Sequence, residues 1–277
     1  MTLEICAYSL ESAIAAQAGG ANRVELCSDP AQGGITPSYG SIVVARQELN
    51  VELHVIIRPR GGDFLYSPPE FEVMREDIQL CRRLGVDGVV LGILLPDARV
   101  DKERCRELAQ LARPMSVTFH RAFDMTADAF AALEDVIEIG CHRILTSGHA
   151  DSALQGASLI AELVERAGER VIVMAGAGIS EENLAQLVET TGALEFHASA
   201  RMQVSSKMLF RNSKVRLGAP SLISSRQVEG SCEFCDNSVT NLPRDVRYTA
   251  RQSLSGPPPR LKKHLLTYPL GGVQSDR

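Results

Sequence analysis

Short apolar runs and helix-spaced runs alternate along the first 200 residues. The apolar runs are LEICAY (3–8), RVELC (23–27), ELHVIIRP (52–59), GVVLG (88–92), SVTFHR (116–121), RILTS (143–147), RVIVM (170–174) and LEFHAS (194–199). Each is four to eight residues long and rich in β-branched or aliphatic side chains, which predicts eight buried strands. Between them the apolar positions recur at three and four residues. Examples are Phe71, Met74, Ile78 and Cys81, and then Cys105, Leu108 and Leu111 to Ala112, which predict helices with one face turned inward. Ser9 precedes LESAIAAQAGG and predicts a helix opened by a serine cap and closed by glycine. Strands that alternate with helices pair in parallel through right-handed crossovers, and strands apolar on both faces are covered on both. Eight such units within about 200 residues predict a closed (β/α)8 barrel of the TIM type. An open doubly wound sheet is the architectural alternative.

The pattern breaks after residue 200. Residues 221–277 contain SGPPPRLKKH and LGGVQSDR and show no amphipathic period. We expect a barrel domain over 1–220 and a loose or disordered tail over 221–277. The tail carries 8 Lys+Arg against 5 Asp+Glu, so it bears +3 while residues 1–220 bear −8.

The whole chain of 277 residues has a net charge of −5 and no tryptophan, with 5% aromatic residues. An aliphatic core follows, and the acidic balance argues against a general nucleic-acid binder. No apolar run approaches the roughly 18–20 residues of a membrane span, and MTLEICAYSLE lacks the basic and apolar regions of a signal peptide. Seven scattered cysteines fit a reducing, cytoplasmic setting.

In a parallel barrel the ligand site lies at the C-terminal ends of the strands, and polar residues cluster at those ends here. Strand one offers Glu4 and Cys6, and strand two Glu25 and Cys27. Strand three ends in Arg58 and Arg60. Strand five supplies His120 and Arg121 with Asp124 just beyond, strand six Thr146 and Ser147, and strand eight Glu195, His197 and Ser199. Period-two alternation pairs Glu4 with Cys6, Glu25 with Cys27, and Glu195 with His197 on shared faces. One reading is catalytic: His120 as general acid or base with Glu25 or Glu195 as its partner, and Arg58, Arg121, Asp124 and His197 around a small anionic, perhaps phosphorylated, metabolite. The glycine-rich MAGAGIS (174–180), with Gly176, Ala177 and Gly178, adds backbone donors beside Arg58 and Arg60. The competing reading is a purely structural Glu–Arg network, with a tight turn at 176–178.

Cys81, Cys105 and Cys141 read as core residues, and Cys232 with Cys235 as a lone C-x-x-C. Cys6 and Cys27 differ, because each ends a Glu-x-Cys triplet on consecutive strands. Paired strands lie about 4.8 Å apart, so two thiols at similar height can share one soft ion, and thiolates select Cu(I) among first-row metals. Two small core side chains remain the alternative.

The segments EICAYSLESAIAAQAGGANRVELCSDPAQGGITPSYG, IIRPRGGDFLYS, VTFHRAFDM, RILTSG, EFHASAR and FRNSKVRLGA resemble the CutC family of copper homeostasis proteins, from residue 3 to about residue 218. The resemblance implies a barrel fold, Cu(I) as the bound metal with Cys6 and Cys27 as its ligands, self-association as a homo-oligomer, and a cytoplasmic and also nuclear location. It brings no defined enzymatic reaction. The chain departs from the family in its tail, where the last barrel helix is expected.

Overall fold

In the computed structural model the described residues are 1–199, 206–210, 212 and 214, together with the backbone of 201–205 and 225–229. All eight predicted strands are present: β1 (Thr2–Ala7), β2 (Arg23–Leu26), β3 (Glu52–Ile56), β4 (Gly88–Leu91), β5 (Ser116–Phe119), β6 (Arg143–Thr146), β7 (Ile172–Gly176) and β8 (Glu195–Ala198). They pair in parallel in chain order, and β8 closes on β1. The barrel is therefore closed, and the open sheet is ruled out.

The covering helices are α1 (Leu10–Ala18), α2 (Tyr39–Glu48), α3 (Pro68–Leu84), α4 (Lys102–Ala112), α5 (Ala129–Ile139), α6 (Ala157–Ala167) and α7 (Leu184–Thr191). The Ser9 hydroxyl accepts from the Ser12 N–H at 3.1 Å and starts α1 as expected. Phe71, Met74, Ile78 and Cys81 form the buried stripe of α3, and Cys105, Leu108 and Ala112 that of α4. Cys141, like Cys81 and Cys105, is buried in the apolar core between barrel and helices.

After β8 the chain enters β9 (Arg201–Ser205), which pairs antiparallel with β10 (Ser225–Glu229). β10 lies alongside α1 and falls inside the stretch expected to be loose. Cys232, Cys235 and the end of the tail lie outside the described residues.

The barrel interior is stratified, and its lowest layer is charged. Arg23, the first residue of β2, is 1% exposed. It donates to Glu4 through Nε and to Glu195 through Nη2 at 2.5 Å. Arg143, the first residue of β6, donates to the same Glu195 at 3.0 Å and to the Ser116 hydroxyl at 2.7 Å. Two guanidiniums and two carboxylates thus neutralise one another where single charges would not survive burial. His54 lies beside them, 3.9 Å from Glu4. Its ring fits because β4 begins with glycine: a Cβ on Gly88 would lie 2.4 Å from His54 Nε2. A glycine inside a strand often marks such a close approach.

Two outcomes follow. Arg23→Met leaves Glu4 and Glu195 buried without their shared cation and should cost about 3–5 kcal/mol of unfolding free energy in urea titrations. His54 is also pH-active, because burial lowers its pKa from 6.5 to about 3. The unfolded chain takes up this proton below 6.5 and the folded chain does not until about 3. Stability from this group is therefore complete above 6.5 and is lost as pH falls toward 3, by at most about 1.4 kcal/mol per pH unit. Urea midpoints measured against pH should fall less steeply in His54→Gln than in the parent; equal slopes would refute the assignment.

Candidate functional site

At the C-terminal ends of the strands the barrel opens into a cavity of about 360 Å³, inside the roughly 300–1,000 Å³ range of small-molecule sites. One wall comes from β1, β2 and β8 and carries Cys6, Tyr8, Glu25, His197 and Ser199. The facing wall comes from the segments after β3 and β5 and carries Arg58, Phe64, His120 and Arg121. Leu145 and the 177–179 loop complete it.

Cys6 and Cys27 are both buried, with their sulfurs 3.5 Å apart. The parallel register sets Cys6 against Glu25, so Cys27 stands one step further along the same inward face. Cys6 lines the cavity, while Cys27 packs behind it with Ile56 and Tyr8. Gly34 turns the chain beside Cys27 with φ of 96°, a left-handed conformation that favours glycine.

Below the sulfurs a polar chain descends into the barrel. His197 Nδ1 is 2.7 Å from Glu4 Oε1 and His197 Nε2 is 3.7 Å from Glu25 Oε2. Glu4, in turn, holds Arg23. Burial alone would raise the Glu4 pKa, but the His197 hydrogen bond and the Arg23 charge hold it well below the ordinary carboxylate range. Burial likewise opposes the charged form of His197, yet its bonds to Cys6 and Glu4 keep the imidazolium favoured. The hydrogen bond from Cys27 pulls the Cys6 thiol down, against burial and with help from His197. Burial pushes Cys27 up, as does donating to Cys6. Glu25 is also pushed up, by burial and by the negative charge on Cys6. The two shifts run in opposite directions, so Cys6 is the sulfur of the pair that ionises more readily.

On the facing wall, His120 is buried, and its Nδ1 accepts from the Ala122 N–H at 3.1 Å. Burial and the Arg58 charge lower its pKa to about 3. The ring is neutral, and because Nδ1 is an acceptor the proton sits on Nε2. At neutral pH this group therefore presents a hydrogen-bond donor to the cavity. Gly92 gives the ring its space, since a Cβ there would lie 2.7 Å from Nδ1.

Several predicted residues stand elsewhere than expected. Glu195 opens β8 and belongs to the charged floor with Arg23 and Arg143, so it is no partner for His120. Arg60 bonds Glu70 at 2.6 Å and Asp63 at 3.0 Å and lies over the Tyr66 ring; it does not line the cavity. Asp124 accepts from Arg121 Nε at 2.8 Å, from the Thr146 hydroxyl at 2.5 Å and from the Ser147 N–H at 3.0 Å. It locks the HRAFD turn onto the end of β6. Gly176 is still inside β7, where a Cβ would meet Leu145 Cδ1 at 2.5 Å and His197 Cβ at 3.3 Å. Only Ala177 and Gly178 of that trio line the cavity, with φ of 81° and 69°. Tyr8, Phe64 and Leu145 were not singled out in the sequence. The two glycines of GVVLG were the available signal for the buried rings of His54 and His120.

The CutC family model matches residues 1–202. A CutC family protein of Chromobacterium violaceum is 58% identical over 217 residues, which is 78% of this chain and 88% of that protein. The human copper homeostasis protein cutC homolog is 51% identical over 217 residues, 78% of this chain and 80% of its own length. Among solved structures, CutC of Streptococcus agalactiae superposes with a TM-score of 0.68 at 34% identity, covering 71% of this chain and 97% of that one. With the family match spanning most of its length and these relatives agreeing, the chain belongs to the CutC family.

Proposed function

We propose that the protein takes part in copper homeostasis by holding Cu(I) as cargo between Cys6 and Cys27. The observation that carries this reading is the pair of buried sulfurs at 3.5 Å, one of them facing a solvent-connected cavity. Soft thiolate sulfur selects Cu(I) over the harder ions of a reducing compartment. With the zinc–thiolate distance of roughly 2.3 Å as a guide, a linear S–metal–S unit spans about 4.6 Å. Uptake of a two-coordinate ion therefore requires the sulfurs to part by about 1 Å. The Glu25 carboxylate is close enough to both sulfurs to make a third, bent ligand set, but hard oxygen is a poor partner for Cu(I). Glu4 is committed to Arg23 and His197, so the acidic neighbours add little general attraction for cations.

The relatives named for copper homeostasis support this reading, as does the free-thiol state of Cys6 and Cys27. A cytoplasmic location with a nuclear fraction, and self-association into a homo-oligomer, belong to the same reading. Among the described residues no helix is long and apolar enough to cross a membrane.

Titration of the reduced full-length protein with Cu(I) against a competing chelator should give one ion per chain. Cys6→Ser and Cys27→Ser, made separately, should each weaken binding by about 100-fold or more, equivalent to about 2.7 kcal/mol. Parental affinity in both variants sinks the proposal. Burial holds the Cys27 thiol up, and ligation by both sulfurs requires that thiol to lose its proton. Affinity should accordingly rise with pH, with protons released on binding in a weakly buffered calorimetric titration; a pH-independent affinity would count against ligation by both sulfurs.

A further inference from the structure

The cavity holds more than a metal ion needs. Its volume of about 360 Å³ is equivalent to about a dozen waters at roughly 30 Å³ each. The wall opposite the sulfurs carries donors that soft-metal binding does not use. We infer that this cavity binds a small organic oxyanion, a phosphorylated or carboxylated metabolite, whose oxygens accept hydrogen bonds from His120 Nε2 and whose charge is offset by Arg58 and Arg121.

Three observations carry the inference. His120 lines the cavity and is 5% exposed, and its Nε2 has no hydrogen-bond partner among the described residues. Nδ1 already accepts from Ala122, so Nε2 presents an N–H, and a buried donor left unpaired carries a desolvation cost. Arg58 is 6% exposed and also lines the cavity. Its Nη atoms are spent on the carbonyl oxygens of Gln32, Gly34 and Gly62, while its Nε has no partner. Neutral carbonyls satisfy donors without cancelling charge, and Arg58 makes no ion pair among the described residues. A buried, uncompensated guanidinium calls for an anion. Phe64 binds the two groups together, its ring 5.0 Å from the Arg58 guanidinium carbon and 5.0 Å from the His120 ring.

Arg121 adds a cation at the rim. Asp124 and the Ser147 hydroxyl fix it at 2.8 Å each, and its side chain is 44% exposed. Ile56, Phe64, Leu145 and Ile179 give the cavity apolar surface, which favours an anion with a carbon skeleton over inorganic phosphate.

The inference stands apart from the copper reading, and its test uses no copper. Reduced, metal-free, full-length protein is titrated calorimetrically with inorganic phosphate, glycerol 3-phosphate and succinate. We expect saturable one-site binding of glycerol 3-phosphate or succinate, tighter than inorganic phosphate; the two organic probes separate a phosphate from a carboxylate preference. His120→Phe keeps a ring against Phe64 but removes the donor and should weaken binding at least about tenfold, or 1.4 kcal/mol. His120→Gln keeps an N–H donor and should lose less. Arg121→Met, at a half-exposed position, should also weaken binding and serves as the second variant if His120→Phe does not fold. Absence of saturation by all three probes up to about 10 mM overturns the inference. Unchanged affinity in the folded variants does so as well.

Discussion

The Arg23–Glu4 ion pair is the constraint on which this interior depends. Neither charge is tolerable alone at this depth, and each carries a second partner that extends the pairing. Arg23 reaches Glu195 and through it Arg143, whereas Glu4 reaches up to His197. Charge at the bottom of the barrel is thereby coupled to the protonation of His197 and, one contact further, to the ionisation of Cys6. An apolar barrel core would be no less stable on its own account, but it would leave His197 without the carboxylate that orients it.

Above this column the mouth is divided by chemistry. Strands β1, β2 and β8 contribute sulfur, carboxylate and imidazolium. The segments after β3 and β5 contribute guanidinium and a neutral imidazole. The two histidines respond to burial in opposite ways for a local reason: His197 sits between carboxylates and a thiolate, and His120 sits next to Arg58. Side-chain identity does not distinguish them.

Much of this was legible in the sequence. Eight apolar runs separated by helical periods pointed to a closed barrel, and the pairing of β8 with β1 removed the open-sheet alternative. The repeated Glu-x-Cys triplet marked the two sulfurs, because strand parity puts alternate residues on one face. Parity does not report height along the barrel axis. Glu195 and His197 share a face, yet one belongs to the floor and the other to the mouth, and only the register of β8 against β1 tells them apart. The same gap concealed Arg23, which opens the run RVELC with no sign of how deep in the barrel it lies. Arg60 was misplaced for another reason: after Pro59 the chain leaves the barrel, and its nearest carboxylates are on the loop and on α3. Such encounters depend on loop paths, for which strand periodicity carries no signal.

Gly88, which opens β4, and Gly92, which follows it, have a consequence of a different kind. Gly88 and Gly92 give the interior no functional group at all; they supply emptiness, and at two heights an imidazole from a neighbouring strand fills it. The strand with the least chemistry thus becomes the least replaceable, because one added methyl at either glycine would dislodge a ring that belongs to another part of the sequence. Tolerance to substitution in this barrel should follow vacant volume rather than proximity to ligand.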